Sequence, residues 1–341
     1  MNRFGISDNY NHTKLADQPS GLLRSSKILR KAHLLAIDLS SVKRIACLGE
    51  VMIEMIDDGE DRARLNVAGD TYNSAVYLKR LMERRDVSVS YITALGSDRF
   101  SAKIVATLET NGIQADQIEV RPGHAPGLYM VNTTPDGERS FSYWRSDSAA
   151  RTLFQKPCTV GLDVLNGFDL LLLSGISIAV LRPDVRDSLI AALAVFRAKG
   201  GIVVYDSNYR PKLWENVETA RATNMAIWSQ TDIALPSVDD EMELFDESTE
   251  QQVLDRLASV GATFGALKRG ALGPKALGNA DNDQTYLPVE KVVDTTAAGD
   301  SFNAGFLAGL IDGQSMASAL MQGHNLSSKV IQRQGAIIAL E

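Results

Sequence analysis

The amino-acid sequence predicts an α/β fold in which helices flank both faces of a central, mostly parallel sheet. From residue 43 onwards, short apolar runs typical of buried strands alternate with longer segments whose apolar residues recur at helical spacing. Repeated βα units of this kind form parallel sheets covered by helices. No apolar run approaches the length of a membrane span, and the net charge of −7 disfavours a general nucleic-acid binder. We therefore expect neither a membrane nor a nucleic acid as partner.

Each predicted element has its own boundary signals, such as Gly112 and Gly200 at the ends of two helices. The predicted strands are Arg44–Leu48, Val87–Ala94, Asp169–Leu173, Ile202–Asp206, Asp232–Leu235 and Phe264–Lys268. The predicted helices are Thr71–Met82, Ser101–Asn111 and Pro183–Ala198, one that begins near Pro236 and one that includes Phe306–Leu310. Since ligands bind beyond the carboxyl ends of parallel strands, residues that follow the strands are the candidate site.

One segment interrupts this alternation. Two strand-like stretches, residues 127–133 and 138–145, flank a Pro-Asp-Gly turn, in which Pro presets φ and Gly accepts a positive φ. The pattern predicts a β-hairpin over residues 126–146. One face of its second strand carries three large side chains: Phe141, Tyr143 and Arg145. Such a face indicates an oligomer interface, a lid over a polar substrate, or both.

The first 42 residues differ in composition from the rest of the chain. Asn, Ser and Asp dominate residues 1–20, and the pattern of a secretory signal is absent from the sequence. We expect a disordered extension over residues 1–42 and one domain over residues 43–341. The two cysteines, Cys47 and Cys158, suggest neither a disulfide framework nor a metal site. These features predict a cytoplasmic protein.

The most informative segment, residues 294–305, places Asp300 after a run of Thr, Ala and Gly. It follows the apolar pair Val292-Val293 and precedes a packed helix, so we expect a strand-to-helix turn. Small side chains leave backbone N–H groups uncovered, and these groups together with the helix dipole form an anion site. A carboxylate there suits a base that deprotonates a hydroxyl while the N–H groups hold a transferring phosphoryl group. The alternative is an ordinary capped helix with small residues for close packing.

Other polar segments also lie near predicted strand ends or helix starts. Gly69, Asp70 and Asn73 open the first helix, where they are either ligand contacts or a simple cap. Arg210 lies in a non-helical segment and can bind a carboxylate or a phosphate bidentately. The alternative for that segment is a turn stabilised by Asp and Asn side chains.

The run Asp-Thr-Thr-Ala-Ala-Gly-Asp-Ser-Phe at residues 294–302 resembles the signature of the ribokinase-like (PfkB) carbohydrate kinases. The resemblance covers roughly residues 43–341 and implies a ribokinase-like fold with a small β lid. It implies that Asp300 is the catalytic base. The anion hole for the γ-phosphate of ATP is then the backbone of Ala297, Ala298 and Gly299. ATP and Mg²⁺ are the implied cofactors, because Mg²⁺ bridges the phosphates in such transfers.

Within that family, residues 137–145 and 208–214 are similar to segments of the 2-keto-3-deoxygluconate kinases. The implied substrate-binding residues are Gly69, Asp70, Asn73, Tyr129, Tyr143, Arg145 and Arg210. The implied ATP-binding residues are Asn208, Arg210, Lys268, Gly270, Gly273 and Gly299. Ala68 stands where the family has a glycine. The chain also lacks the Asn of the family's Asn-x-x-Glu motif, so Asp240 and Glu241 are both candidates for an indirect role in organising the metal.

The resemblance implies ATP-dependent phosphorylation of the terminal hydroxyl of 2-keto-3-deoxygluconate. Another sugar kinase of the same family, of the fructokinase or ribokinase type, remains an alternative, as does a non-catalytic sugar-acid sensor on the same scaffold. A dehydrogenase is disfavoured because no Gly-x-Gly-x-x-Gly follows a predicted strand. In this family the lid often forms the dimer contact, so we expect a homo-oligomer through the hairpin.

Overall fold

Strands and helices alternate along the chain in the computed structural model, which describes residues 39–57, 61–133, 139–278 and 284–340. The strands in these ranges are β1 (Arg44–Leu48), β2 (Met52–Asp57), β3 (Ala63–Ala68), β4 (Ser88–Leu95), β5 (Ile118–Val120), β6 (Leu128–Thr133), β7 (Arg139–Trp144), β8 (Leu170–Ser174), β9 (Ile202–Asp206), β10 (Ile233–Leu235), β11 (Ala266–Leu267) and β12 (Lys275–Ala276). The α-helices there are α1 (Asp70–Leu81), α2 (Arg99–Thr110), α3 (Gly175–Ala179), α4 (Pro183–Ala198), α5 (Val217–Ser229), α6 (Val238–Phe245), α7 (Glu250–Ser259), α8 (Ala298–Ile311) and α9 (Met316–Val330). These elements belong to one compact unit, Asp38–Glu341.

The central sheet contains six parallel strands in the order β10-β9-β8-β1-β4-β5. Strand β1 lies inside the sheet and pairs with β4 on one side and β8 on the other. Parallel bridges from Ala234 to Gly265 and from Ser237 to Lys268 extend this order to the segment that contains β11. The predicted α/β architecture is thus confirmed, and the predicted bounds of β9 and α4 agree with the structure.

A second, four-stranded sheet, called the small sheet below, has the order β3-β2-β6-β7. Strands β6 and β7 are antiparallel and correspond to the predicted hairpin, whose Pro-Asp-Gly turn lies outside the described residues. The sequence pattern did not predict the other pair, β2 and β3. Glu54 interrupts the apolar run of β2, and most of β3 is exposed, so neither stretch has a clear strand pattern.

Helix α8 is buried along almost its full length, from Ser301 to Ile311. It packs closely against α9, since a Cβ built on Gly305 would lie 2.9 Å from the Cα of Gly323. Only glycine allows the two helix backbones to come this near. This packing fixes the first turn of α8, which carries Asp300.

The segment before α8 differs from the prediction of a strand-to-helix turn. Val292 and Val293 belong to no strand and are half exposed, at 52% and 49%. The N–H groups of Val293 and Asp294 instead donate to the carbonyl of Ile331, at 2.8 and 3.1 Å. The entry into α8 is therefore held by the end of α9 rather than by a sheet.

The two ends of the described structure bear on two further expectations. Of the predicted extension over residues 1–42, only residues 39–42 are described, and Leu39–Ser41 form one turn of 3-10 helix there. The rest of that extension lies outside the described residues. In the ranges that the structure covers, none of the helices has the length and apolar character needed to cross a membrane.

Candidate active site

Asp300 lies in the first turn of α8 and is hydrogen-bonded to the start of α1. Its carboxylate accepts a hydrogen bond of 2.8 Å from Nδ2 of Asn73. Its carbonyl oxygen accepts a hydrogen bond of 3.1 Å from the hydroxyl of Ser74. The structure thus brings together the predicted base and a residue of the predicted substrate-binding set.

The turn before Asp300 exposes backbone N–H groups, as expected for an anion site. Ala297 has a left-handed backbone (φ 61°), which turns the chain into α8. Within the described residues, the N–H groups of Ala297 and Gly299 have no acceptor, whereas that of Ala298 donates to the carbonyl of Thr295 at 3.1 Å. Two of the three predicted anion-hole groups are therefore unpaired.

Asp294 anchors this turn from its first residue. Its carboxylate is 4% exposed and accepts hydrogen bonds from the N–H groups of Thr296, at 3.0 Å, and Gly335, at 2.7 Å. The first aspartate of the signature therefore holds the turn in shape.

Burial and neighbouring carboxylates raise the pKa of Asp300 well above that of an ordinary aspartate. Burial contributes most, the charge of Asp70 comes next, and Asp206 acts in the same direction. The hydrogen bond from Asn73 and the charge of Lys268 oppose these effects. A carboxylate with a raised pKa is a stronger base, which removal of a hydroxyl proton requires.

Asp70 connects α1 to the carboxyl ends of two central strands. Its carboxylate accepts hydrogen bonds from the hydroxyl of Ser174, at 2.5 Å, and from the side-chain amide of Asn208, at 2.7 Å. Ser174 ends β8, and Asn208 follows β9. Gly69 is required just before Asp70, because a Cβ there would lie 2.5 Å from the carbonyl oxygen of Glu50.

Asp206, the last residue of β9, opens the polar segment that contains Asn208 and Arg210, but it is not among the predicted site residues. Its carboxylate is buried and accepts hydrogen bonds from Nζ of Lys268, at 2.7 Å, and Nδ2 of Asn303 in α8, at 2.6 Å. The Lys268 ammonium lies 3.5 Å from a Cβ built on Gly299. Asp206 thus holds the Lys268 ammonium beside the turn that precedes Asp300. Its place at the carboxyl end of a central strand was the signal that could have identified it.

The predicted nucleotide loop, residues 268–273, follows β11 and contains one 3-10 turn at Gly270–Leu272. Gly270 and Gly273 have left-handed backbones (φ 54° and 75°), which favours glycine at both positions. At Gly273, a Cβ would also lie 2.5 Å from the ring of Tyr286. The conformation of this loop therefore depends on its glycines.

Arg210 and Asp240 form a partly exposed pair next to this loop. Nη1 of Arg210 lies 3.3 Å from Oδ1 of Asp240, whose carboxylate also accepts a hydrogen bond of 3.2 Å from the N–H of Tyr209. Burial raises the pKa of Asp240. Glu241, in contrast, is fully buried and paired with Arg256 at 2.9 Å, and burial raises its pKa to about 7. Of the two predicted metal-organising candidates, Asp240 is thus the one that contacts the Arg210 segment.

The small sheet carries three predicted substrate-binding residues on one face. Tyr129 and Tyr143 are paired across β6 and β7, with ring centroids 5.6 Å apart, and the guanidinium of Arg145 lies 5.9 Å from the Tyr143 ring. The Tyr129 hydroxyl donates to Glu54 at 2.6 Å, and burial together with the charge of Glu54 raises the pKa of Tyr129. Arg145 pairs with the carboxylate of Glu50. The sequence analysis missed both glutamates.

The predicted substrate-binding residues therefore fall into separate groups. One adjoins Asp300 and comprises Gly69, Asp70 and Asn73. A second lies on the small sheet and comprises Tyr129, Tyr143 and Arg145. The seventh residue, Arg210, pairs with Asp240. The charge of Asp300 contributes to the raised pKa of Tyr129, so this hydroxyl is within electrostatic reach of the base. Among the residues described, no contact joins Arg145 to Arg210.

The sequence and fold match known sugar kinases over most of the chain. The family described as pfkB family carbohydrate kinase matches residues 42–341. The 2-dehydro-3-deoxygluconokinase of Dickeya dadantii (strain 3937) is 42% identical over 308 residues, which cover 88% of this chain and 98% of that protein. The 2-dehydro-3-deoxygluconokinase of Escherichia coli (strain K12) is 39% identical over 304 residues, which cover 88% and 98% respectively. A crystal structure of fructokinase from Vibrio cholerae O395 has a TM-score of 0.74 at 24% identity and covers 87% of this chain and 95% of that chain. This chain belongs to the pfkB family of carbohydrate kinases.

Proposed function

We propose that this protein transfers the γ-phosphoryl group of ATP to the terminal (C6) hydroxyl of 2-keto-3-deoxygluconate, forming ADP and 2-keto-3-deoxy-6-phosphogluconate. The observation that carries the proposal is the carboxylate of Asp300, held beside unpaired backbone N–H groups at the start of a buried helix. The relatives that are 39% and 42% identical support the substrate, since 2-dehydro-3-deoxygluconokinase names the same activity.

Asp300 acts as the general base in this proposal. The sugar O6 forms a new bond to the γ-phosphorus, the bond to the β,γ-bridging oxygen breaks, and the hydroxyl proton passes to the Asp300 carboxylate. The N–H groups of Ala297 and Gly299, with the positive end of the α8 dipole, stabilise the charge on the transferring group. Asn73 and Lys268 favour the ionised form of the base and so keep it ready to accept the proton.

The surroundings of Asp300 suit the phosphates of ATP. Lys268, held by Asp206, supplies a cation beside Gly299. When bound, Mg²⁺ would neutralise part of the charge on the phosphates. The described residues contain no group of three or more His, Cys, Asp or Glu side chains that could hold a metal ion. Asp240, whose side chain is 20% exposed beside Arg210, would take an indirect role in organising the ion.

The sugar acid binds between α1 and the small sheet in this proposal. Asn73 is 4% exposed, and its Oδ1 has no hydrogen-bond partner among the described residues, so it offers an acceptor to a sugar hydroxyl. Asp70 offers a second acceptor. Arg145 and Arg210 carry the charge that complements the carboxylate of the substrate, which a neutral sugar lacks. The small sheet is the lid of the domain at residues 43–341, and the hairpin at 126–146 is one half of it.

We further propose that two copies associate through this sheet and that the enzyme acts in the cytoplasm, where ATP is available. Three aromatic side chains of β7 are about half exposed: Phe141 at 44%, Tyr143 at 53% and Trp144 at 59%. Aromatic residues are enriched at protein interfaces. Sedimentation analysis of the wild type and of Trp144→Ser tests this association, and a monomeric wild type contradicts it.

The reaction is tested by measuring ATP-to-ADP conversion with 2-keto-3-deoxygluconate, fructose and ribose, with Asp300→Asn as the inactive control. We expect turnover that is selective for the keto acid and lost in the variant. Turnover with a neutral sugar alone would overturn the substrate assignment but keep the base. Binding of the keto acid without ATP consumption would identify a sensor instead.

A further inference from the structure

Glu50 is a buried glutamate in the connection between β1 and β2, and the reaction outlined above gives it no role. We propose that Glu50 is a positioning residue for substrate specificity, which holds Arg145 at the base of the small sheet so that its guanidinium meets the carboxylate of the sugar acid. This inference rests on the proposed function and adds a residue that determines how tightly the acid binds.

Glu50 lies where three strands of the small sheet join the body of the protein. Strand β2 begins two residues after it, β6 begins directly after Gly127, and β7 ends directly before Arg145. A Cβ built on Gly127 would lie 2.6 Å from Oε1 of Glu50 and 3.2 Å from Cβ of Arg145. The three residues are therefore packed against one another at the base of the sheet.

The ion pair between Glu50 and Arg145 is buried but incompletely hydrogen-bonded. The side chains are 0% and 10% exposed, and Nη2 of Arg145 contacts Oε2 of Glu50. Within the described ranges, Oε1 of Glu50 and Nε of Arg145 have no hydrogen-bond partner. A buried ion pair of this kind is often less stabilising than apolar residues of similar volume. Its presence is better explained by a need to hold one arginine in place.

A guanidinium can serve two carboxylates at once. It has five N–H donors in a planar fork, so the contact with Glu50 leaves donors for a second acid. The same contact limits where the guanidinium can move, because Glu50 is held by packing against Gly127. Arg145 is thus presented to the substrate in one orientation, and less freedom is lost when the acid binds.

A second glutamate of the same segment acts in the same manner. Glu54, in β2, accepts the hydrogen bond of the Tyr129 hydroxyl at 2.6 Å and one from Asn66 at 3.0 Å. Strand β2 and the residues before it therefore hold both Tyr129 and Arg145 through buried carboxylates. This repetition supports a positioning role for Glu50 rather than an isolated structural pair.

The test replaces Glu50 by Gln, which keeps its size and removes its charge. We expect the KM for 2-keto-3-deoxygluconate, and the Kd of the acid measured by calorimetry without ATP, to rise about 10- to 100-fold. The kcat and the KM for ATP should change by less than about threefold, because Asp300 and the turn before it are unchanged. Glu50→Asp, which retains the charge, should restore part of the affinity.

The matched control is Asp232→Asn. Asp232 forms another buried ion pair, with Arg197 at 2.6 Å and side-chain exposures of 0% and 16%, at the amino-terminal end of β10. Its loss should lower the thermal stability as Glu50→Gln does, yet leave the KM for the acid unchanged. A comparable rise of that KM in the control would show that general loosening of the fold causes the effect and would overturn the proposal.

A double-mutant cycle with Arg145→Gln provides the decisive comparison. If Glu50 acts through Arg145, then Glu50→Gln adds nothing to the KM for the acid in the Arg145→Gln background. Additive effects, a loss confined to kcat, or an unchanged KM in Glu50→Gln each contradict the proposal. If Glu50→Gln alone does not fold, the KM for the acid is compared in Glu50→Asp and in the double variant, in which no charge is left unpaired. If the wild-type protein does not turn over the keto acid, the proposed function itself is wrong. This result is obtained before any variant is compared.

Discussion

The side-chain amide of Asn73 donates a 2.8 Å hydrogen bond to the carboxylate of Asp300, although 227 positions separate the two residues in the chain. The bond joins the helix that opens with Asp70 to the helix that carries the predicted base. It favours the charged carboxylate and so offsets part of the effect of burial and of the Asp70 charge. The pKa of Asp300 is therefore set by burial and by opposing influences from named groups that can be changed.

Replacement of Asp300 by Asn should lower kcat by roughly a hundredfold to ten-thousandfold, because the amide cannot accept the hydroxyl proton. The far-ultraviolet circular dichroism spectrum should stay the same. Asp312→Asn is the matched control, since Asp312 follows the last residue of the same helix and pairs with Arg85 on the surface. Near-normal turnover in Asp300→Asn would remove the base assignment.

The same substitution should stabilise the folded protein at neutral pH. The pKa of Asp300 is raised on folding, so the folded state binds the proton more tightly than the unfolded state. Its contribution to stability is complete below the unfolded pKa of about 3.9 and is lost as the pH rises through the folded pKa. Asn avoids this loss. The Tm of Asp300→Asn should exceed that of the wild type near neutral pH, and the difference should shrink on acidification; a lower Tm at every pH would contradict this.

Replacement of Asn73 by Ala should move the acid limb of the pH dependence of kcat/KM to higher pH. The hydrogen bond from Asn73 lowers the pKa of Asp300, so its removal raises that pKa and the base ionises only at higher pH. Asn66→Ala is the control, because Asn66 donates a similar bond to Glu54 in the small sheet. An unmoved limb in Asn73→Ala would mean that another group controls the profile.

Replacement of Arg210 by Ala should weaken binding of the sugar acid more than binding of ATP. The side chain is 53% exposed and its pair with Asp240 is 3.3 Å long, so it can turn towards a ligand. Separate KM values for the acid and for ATP provide the measurement. Arg182→Ala, at a surface arginine paired only with Asp184 among the described residues, should change neither. A loss restricted to ATP would place Arg210 on the nucleotide.

Replacement of Gly305 by Ala should destabilise the fold by about 1–3 kcal/mol, since the added Cβ would push α8 away from α9. Chemical denaturation gives the free energy of unfolding. Gly167→Ala is the control, because a Cβ there meets nothing within 4 Å. Equal stability of the two variants would show that the helices can separate at little cost.

Local sequence patterns were sufficient to predict the elements that have a continuous apolar run or clear boundary residues. Strand β9 and helix α4 agree with their predicted bounds, because every residue of β9 is buried and α4 begins at Pro183 and ends before Lys199 and two glycines. The pair β2 and β3 escaped prediction because the buried Glu54 is held by Asn66 in β3 and by Tyr129, a partner 75 positions away, and neither contact is visible in the local sequence. The turn before α8 was misjudged because its support comes from Ile331 rather than from a neighbouring strand.

The sequence alone determined the α/β class and the family and singled out Asp300 as the predicted base, because these depend on periodicity and on one contiguous run of small residues before an acid. Tertiary structure alone decided which charged groups pair with one another at the site. Glu50 and Glu54 become recognisable only when Arg145 and Tyr129 are brought to them from distant strands. The pairing of Asp206 with Lys268 is likewise set by the fold. A buried carboxylate is stable only if partners pair with it, and the positions of those partners are set by the packing of the whole domain.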